Sequence, residues 1–329
     1  MLAWFLTSFD HFGIEHLANE IRITDSIAIP LYGLLIMTGV LIALVTGIHE
    51  GKKIGINPQD GIDGLLIILP LSLLGTRLWY VIFNPADFID FLPRIIGFER
   101  DGSFTGLQGL AIHGGFLTAL VATIIFTRKR KIDPFRGLDL MAPGFFVAQS
   151  LGRWGNFFNR EAHGPIIGGL TNGTAELSLD AQRSFLNETL RIPGWIVDNM
   201  FFDSSRSGSP ITMQANYHHP TFLYESVWNM VGFILILIMR RTKLIRSGDI
   251  IAFYLIWYSV GRFMIESLRT DSLYIWNTGL RTAQVISVLM IIGGMALLVL
   301  NRTFFDRKFY HHYLDKYRQK NNPKETTES

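Results

Sequence analysis

Gly152-Arg153-Trp154-Gly155-Asn156-Phe157-Phe158-Asn159-Arg160-Glu161-Ala162-His163-Gly164 follows directly on an apolar run, Ala142 to Leu151. The apolar run reads as the body of a membrane helix and the polar stretch as its end. Charged and amide side chains at membrane depth cost several kcal/mol unless they have partners or a task. Arg153 and Asn156 are three apart and share a helix face. Gly152, Gly155 and Gly164 let another backbone or a ligand approach closely. Two readings fit. The stretch is a site that grips something polar and anionic, or it is a helix-end cap with Arg153 reaching to the interface.

Composition supports the membrane reading. The chain has 329 residues, 49% of them hydrophobic and only 17% charged. A soluble domain of this length carries more charge and shorter apolar runs. The net charge of +3 is small, and Lys and Arg fall in short clusters at the ends of apolar runs, so nucleic acid is not an expected partner. There is no cysteine. Disulfides, thiolate metal sites and an enzyme-borne Cys nucleophile are thereby excluded, and any thiol in the chemistry belongs to a substrate. Asp10, Glu15, Glu20, Arg22 and Asp25 interrupt the first residues, which therefore lack a signal-peptide pattern. The first spanning helix is expected to direct insertion itself.

Apolar runs of about 20 residues are the spanning unit. They read as Ile27–Ile48, Gly64–Phe83, Leu107–Phe126, Leu138–Phe158, Thr221–Met239, Ile250–Leu268 and Ala283–Leu300. The expected fold is an all-α polytopic membrane protein of about seven transmembrane helices with a small extracytoplasmic head segment. Basic clusters follow the odd runs: Lys52-Lys53, Arg128-Lys129-Arg130-Lys131, Arg240-Arg241 with Lys243 and Arg246, and Arg302 with Arg307-Lys308. Short Lys/Arg-rich loops stay in the cytoplasm. The expected orientation therefore puts the N-terminus outside and the C-terminus inside. Residues 1–26 form an extracytoplasmic N-terminal segment. Residues 27–300 form a seven-helix membrane catalytic domain, with 165–219 as an extracytoplasmic insertion. Residues 301–329 form a cytoplasmic tail. Within the insertion Asp180 to Leu190 suits a short helix, and Pro193, Gly194 and Pro210 break the pattern. Phe304, Phe305, Phe309, Tyr310, Tyr313 and Tyr317 suit the inner membrane surface, and Gln319 to Ser329 reads as disordered.

Other polar residues interrupt the apolar runs. His113 stands in Ile112-His113-Gly114-Gly115, where the glycines would open space beside an imidazole suited to proton transfer near neutral pH. A packing histidine fits equally. Arg262, Glu266 and Arg269, at spacings of four and three, share one helical face. They form an anion clamp or a self-paired ion network. His219-Pro220-Thr221-Phe222-Leu223-Tyr224-Glu225 opens the fifth run, proline suiting a first turn, and Glu225 suits an ion pair with an arginine of another helix. Tyr32 fits a head-group contact or an aromatic belt. Arg77 lies within the second run. His218-His219 and His311-His312 are adjacent pairs, not helical ligand spacings, so no metal is expected. Asn172-Gly173-Thr174 and Asn187-Glu188-Thr189 match a glycosylation pattern that is common by chance.

This set resembles the bacterial prolipoprotein diacylglyceryl transferase family. The matching segments are Gly152 to Gly164, His113-Gly114-Gly115-Phe116, His219 to Glu225, Arg262 to Glu266 with Arg269, Tyr32-Gly33 and Gly75-Thr76-Arg77-Leu78. Leu31 stands where many members carry Trp. The resemblance implies a multi-pass enzyme of the bacterial inner membrane. It would move the sn-1,2-diacylglyceryl group of phosphatidylglycerol to the thiol of the lipobox cysteine in a prolipoprotein signal peptide. A thioether would form and glycerol phosphate would leave. No cofactor and no metal is implied; the partners are the two substrates and membrane lipid. The catalytic set would be His113, Arg153, Glu161 and Arg262. The substrate-binding set would be Tyr32, Arg77, Asn156, Asn159, Gly164, Glu225, Glu266 and Arg269.

The residues suit that chemistry. Guanidinium matches phosphate by charge and fork geometry. A thiol of pKa ~8.5 reacts as thiolate, so a base or a positive field helps. Arg153 and Arg262 would stabilise charge growing on the departing phosphate. The base is His113 or a carboxylate; sequence leaves both open. The rival class is a non-catalytic membrane transporter or lipid-binding protein, which would also explain intramembrane charge. It would usually show repeated halves, and none is visible here. A structural scaffold would leave the charges idle.

Overall fold

The computed structural model of the chain describes residues 8–9, 15–16, 19–24, 27–103, 112–169, 176–202, 215–270, 274, 279–304 and 310–321. The chain opens on two short hairpins, β1 (Ser8–Phe9) with β2 (Glu15–His16) and β3 (Glu20–Thr24) with β4 (Ile27–Pro30). Long helices follow: α1 (Leu31–Lys53) and α2 (Pro58–Phe83). A short α3 (Ala86–Ile89) and a 3₁₀ turn (Leu92–Ile96) lead to α4 (Ile112–Lys129) and α5 (Pro134–Phe158). Then come α6 (Leu179–Ser184), a π turn (Phe185–Thr189), α7 (Gly194–Asn199), and the strand pair β5 (Phe201–Phe202) and β6 (Asn216–Tyr217). The chain continues through α8 (Thr221–Met239), α9 (Asp249–Glu266), α10 (Thr282–Thr303) and α11 (Tyr310–Asn321).

Each of the seven apolar runs falls on one of these long helices, residues 107–111 of the third lying outside the described residues. Among the described residues four of them, α1, α2, α8 and α10, are long and apolar enough to cross a membrane. The other three, α4, α5 and α9, carry more polar residues along their length. The first run starts four residues late as a helix. Proline restricts the residue before it to extended backbone, and Pro30 thus keeps Ile29 in β4, paired with Ile21. The turn after α6 ends at Thr189, ahead of Pro193 and Gly194, which instead open α7, with proline just ahead of its first turn; Pro210 lies outside the described residues. The tail is helical through Asn321, further than its polar composition suggests; residues 322–329 lie outside the described residues.

The chain divides into two compact units. The first comprises Met1–Ala43, Ala142–Thr242 and Asp249–Asp306. In it α9 packs on α8 and α10. The segment after α5 has its own core, in which Ile167, Leu186, Val197, Phe201 and Tyr217 close over Phe157 of α5 and Phe222 of α8. Gln182 is fully buried there and ties the segment together. Its amide donates to Asn216 Oδ1 (2.9 Å), and its Oε1 accepts from the Tyr217 N–H (2.8 Å). At the far end of the helices Arg302 forks onto Asp249 (2.8 and 2.9 Å), which also accepts from Asn301 (3.0 Å).

The second unit comprises Leu44–Met141, Lys243–Gly248 and Arg307–Ser329. Its main contact is α2 against α4, and glycine makes it possible. A Cβ on Gly114 would overlap the Trp79 Cβ and the Gly75 carbonyl, and one on Gly115 would overlap Thr76. Small residues let membrane helices approach closely. The two glycines after His113 thus serve helix crossing. Large apolar side chains on the four most apolar helices face outward, among them Val45 (66% exposed), Leu66 (67%) and Leu289 (63%). That is the surface a lipid-solvated helix presents.

Candidate active site

The polar network lies in the first unit, where α5, α8 and α9 meet. Glu225, one turn into α8, is 2% exposed and bridges two arginines from two different helices. Its Oε1 lies 2.7 Å from Arg153 Nη2 of α5, and its Oε2 lies 3.1 Å from Arg262 Nη1 of α9. Arg262 Nη2 then pairs with Glu266 Oε2 one turn on, at 2.7 Å. On the other flank Arg153 Nη1 donates to Asn156 Oδ1 (3.4 Å). Asn156 and Asn159 both donate their amides to Glu161 Oε1, at 2.9 and 3.2 Å. One continuous chain of charge and amide therefore runs Glu161, Asn156, Arg153, Glu225, Arg262, Glu266.

The burial is uneven in a useful way. The carboxylates Glu225 and Glu266 are enclosed, while the Arg153 and Arg262 side chains keep 19% and 16% of their surface. Each guanidinium has five N–H donors, and the contacts above use a minority of them. The arrangement is a pair of arginines fixed from behind by carboxylates with donors left for an anion.

The surroundings lock these side chains. Trp154 Nε1 donates to Ser226 Oγ (3.1 Å), which shares a hydrogen bond with Ser150 Oγ (2.8 Å), fixing α5 to α8 beside Glu225. Tyr32 packs against Gly155, where any side chain would strike its ring. Gly164 plays a similar part: a Cβ there would sit 2.8 Å from His219 Cβ, and its N–H donates to His219 O (2.9 Å). Glu161 is presented by a turn in which Arg160 (φ 55°) and Ala162 (φ 56°) are both left-handed. Non-glycine residues there cost on the order of 1 kcal/mol each and persist when the surroundings hold them. Arg160 supplies part of that hold, donating to the Phe201 carbonyl and lying 4.9 Å over the Phe202 ring.

Behind this turn stand two histidines. His163 and His218 both place Nδ1 on the Gly164 carbonyl oxygen, at 3.0 and 2.8 Å, with their rings 4.4 Å apart. Burial, reinforced by the neighbouring His163, pushes the His218 imidazole down to about 4. Burial lowers His219 as well.

Some expected residues fall elsewhere. Arg269 lies past the end of α9, which stops at Glu266, so the shared face does not extend to it as helix. Arg77 belongs to the second unit. It is 6% exposed, donates Nε to Ile95 O (2.8 Å) and Nη2 to Arg94 O (2.5 Å), and stacks 4.9 Å over Phe88. Its partners include backbone carbonyls at the end of the 3₁₀ turn. His113 stands in the first turn of α4, also in the second unit. Tyr258 joins the site without having been expected. It lies four residues before Arg262 and feels the charges of Glu225, Arg262, Arg153 and Arg269. The spacing of four was the available signal, hidden because an apolar helix with several tyrosines reads as packing.

Residues 20–300 match the family model described as prolipoprotein diacylglyceryl transferase. The chain belongs to the prolipoprotein diacylglyceryl transferase family. Its relatives include the phosphatidylglycerol–prolipoprotein diacylglyceryl transferase of Lactobacillus gasseri, 39% identical over 285 residues, or 86% of this chain and 90% of that one. The enzyme of the same name from Enterococcus faecalis is 37% identical over 85% of this chain and 89% of its own. That of Listeria monocytogenes is 37% identical over 87% and 90%. The prolipoprotein diacylglyceryl transferase match spans the helices that carry the whole network, from Tyr32 in α1 to Glu266 in α9.

Proposed function

We propose that this chain transfers the diacylglyceryl group of phosphatidylglycerol to the thiol of a prolipoprotein's lipobox cysteine, the first step of lipoprotein maturation. The thiol proton leaves, sulfur attacks the glyceryl carbon, and the bond from that carbon to the phosphate oxygen breaks. A thioether forms and glycerol phosphate departs with the bonding pair. The observation that carries this reading is the single carboxylate of Glu225 holding Arg153 and Arg262 from two helices.

Arg153 and Arg262 receive the phosphodiester. Fixed donors aimed where charge develops stabilise a transition state without reorganising, and the carboxylates behind the guanidiniums supply that fixity. Glu161 orients Asn156 and Asn159 toward the head group, with Tyr32 packed beside them. Gly164 positions the turn. Glu266 holds Arg262. His113 of α4 takes or orients the thiol proton, and its unperturbed pKa of ~6.5 suits that work near neutral pH. Arg77 and Arg269 act at entry or as supports.

The seven long helices cross the bacterial cytoplasmic membrane with the N-terminus outside and the C-terminus inside. The basic clusters after the odd helices support this, as does the segment 165–219, which holds three Arg and no Lys. That segment is the extracytoplasmic head of the membrane domain 27–300, residues 1–26 precede it on the same side, and 301–329 form the inner tail. The test compares Arg262→Lys and His113→Gln in a thiol-lipidation assay in defined lipid. Each is expected to lose on the order of 10²-fold or more in turnover. Near-normal turnover in both would overturn the mechanism.

A further inference from the structure

A groove of about 430 Å³ runs along a different face of α8 from the polar network. Leu190 and Ile192, from the head segment, form one wall; Tyr224, Trp228 and Val231 of α8 form the other; and Trp257 of α9 closes it. The two indoles are built in. Their rings stack at 4.5 Å and 17°. Each indole N–H donates to the other residue's carbonyl, Trp228 to Trp257 O at 2.8 Å and Trp257 to Trp228 O at 3.0 Å. Both indoles occupy space that glycine vacates. A Cβ on Gly261 would overlap Trp228, and one on Gly232 would come within 2.6 Å of Trp257 Cδ1.

The groove is rigid, apolar and open. Leu190 is 38% exposed, Val227 54% and Val231 40%. It continues down α8 into Ile234 and Ile238, which are 49% and 58% exposed and form the lipid-contact stripe of that helix. From Leu223 to Val231 the lining spans nine residues of helix, eight rises or about 12 Å at 1.5 Å per residue. A leaflet's hydrocarbon is about 15 Å deep. At the upper end the Tyr224 hydroxyl shares a hydrogen bond with His219 Nδ1 (3.1 Å), so a polar pair closes the groove in the first turn of α8.

We infer that this groove holds one acyl chain of a bilayer phospholipid, seated lengthwise between the head segment and the paired indoles. The inference rests on the reading of α8 as a membrane-crossing helix and on no step of the transfer reaction. Its continuity with the lipid-contact stripe puts acyl chains at its mouth. The head segment thereby gains a role that its sequence did not disclose, as one wall of a lipid slot.

The test uses the full chain in nanodiscs of phosphatidylcholine containing a fraction of phosphatidylcholine with a mid-chain diazirine. Illumination and peptide mapping should place label on Leu190–Ile192 and Val227–Val231 several-fold above Ile234–Ile238. Val231→Trp, which plugs the groove, should remove that excess while label at Ile234–Ile238 persists. Val227→Trp serves as a second plug should Val231→Trp fold poorly. Label spread evenly along α8 would overturn the inference, as would label unchanged by both plugs or displaced by a Leu-rich helical peptide. Absence of label from Ile234–Ile238 as well would instead overturn the membrane placement of α8.

Discussion

Glu225 is one carboxylate doing work for two arginines. Its replacement by Gln keeps the shape and removes the charge that holds Arg153 and Arg262 near each other. Two guanidiniums then face an uncharged amide, and only Glu266, on Arg262, still offsets their mutual repulsion. We expect Glu225→Gln to fold but to lose about 10²–10³ in thioether formation, the scale of losing an oriented donor. Turnover within about threefold of wild type would show that Glu225 does not organise the anion site. Most of this network could be read from sequence because charge inside an apolar run needs a reason. The pairings could not, since Arg153, Glu225 and Arg262 lie on helices far apart in the chain. Tyr258 was missed because tyrosine in an apolar helix is ordinary. The carbonyl partners of Arg77 were not legible, because they come from a turn whose conformation no periodicity announces.

The elements behave as their glycines and histidines dictate. Gly114 is where α4 touches α2, and Gly114→Leu forces a side chain into Trp79 and the Gly75 backbone. Overpacking costs typically about 1–3 kcal/mol, so a lower melting temperature is expected; an unchanged one would mean that the two helices do not meet at these glycines. In the head segment His218 is 4% exposed and stays neutral down to about pH 4. The unfolded chain takes that proton near pH 6.5. Its depressed pKa therefore leaves stability full above about 6.5, and stability falls as pH drops toward 4, by about 3 kcal/mol from this residue. Melting measured from pH 7 to pH 4 should show the loss, and His218→Gln should flatten it. A flat profile in the parent protein would contradict the buried, neutral imidazole. Helix positions were legible because apolar runs fix them within a few residues. The start of α1 was not, because a hairpin ending at Pro30 competes with the apolar pattern. The core of the head segment was not, because its short elements gain stability only by closing over Phe157 and Phe222.

At the scale of the whole molecule, outward-facing apolar helices mark a membrane protein, and the proposed orientation rests on where Lys and Arg gather. The absence of cysteine makes that orientation directly readable. Single cysteines at Glu188 and Lys129, both exposed, are expected to differ in intact spheroplasts. Glu188→Cys should react with a membrane-impermeant maleimide, and Lys129→Cys only after lysis. The reverse pattern would invert the topology. Family membership and the arginine pair converge on one chemistry, and a mass measurement reaches it most directly. Purified protein, folded by its melting transition, is incubated with phosphatidylglycerol and a lipobox peptide. The account predicts that the cysteine peptide gains the mass of one diacylglyceryl group with stoichiometric release of glycerol phosphate, and that a serine peptide gains nothing. No shift on the cysteine peptide, with the protein folded, would contradict it.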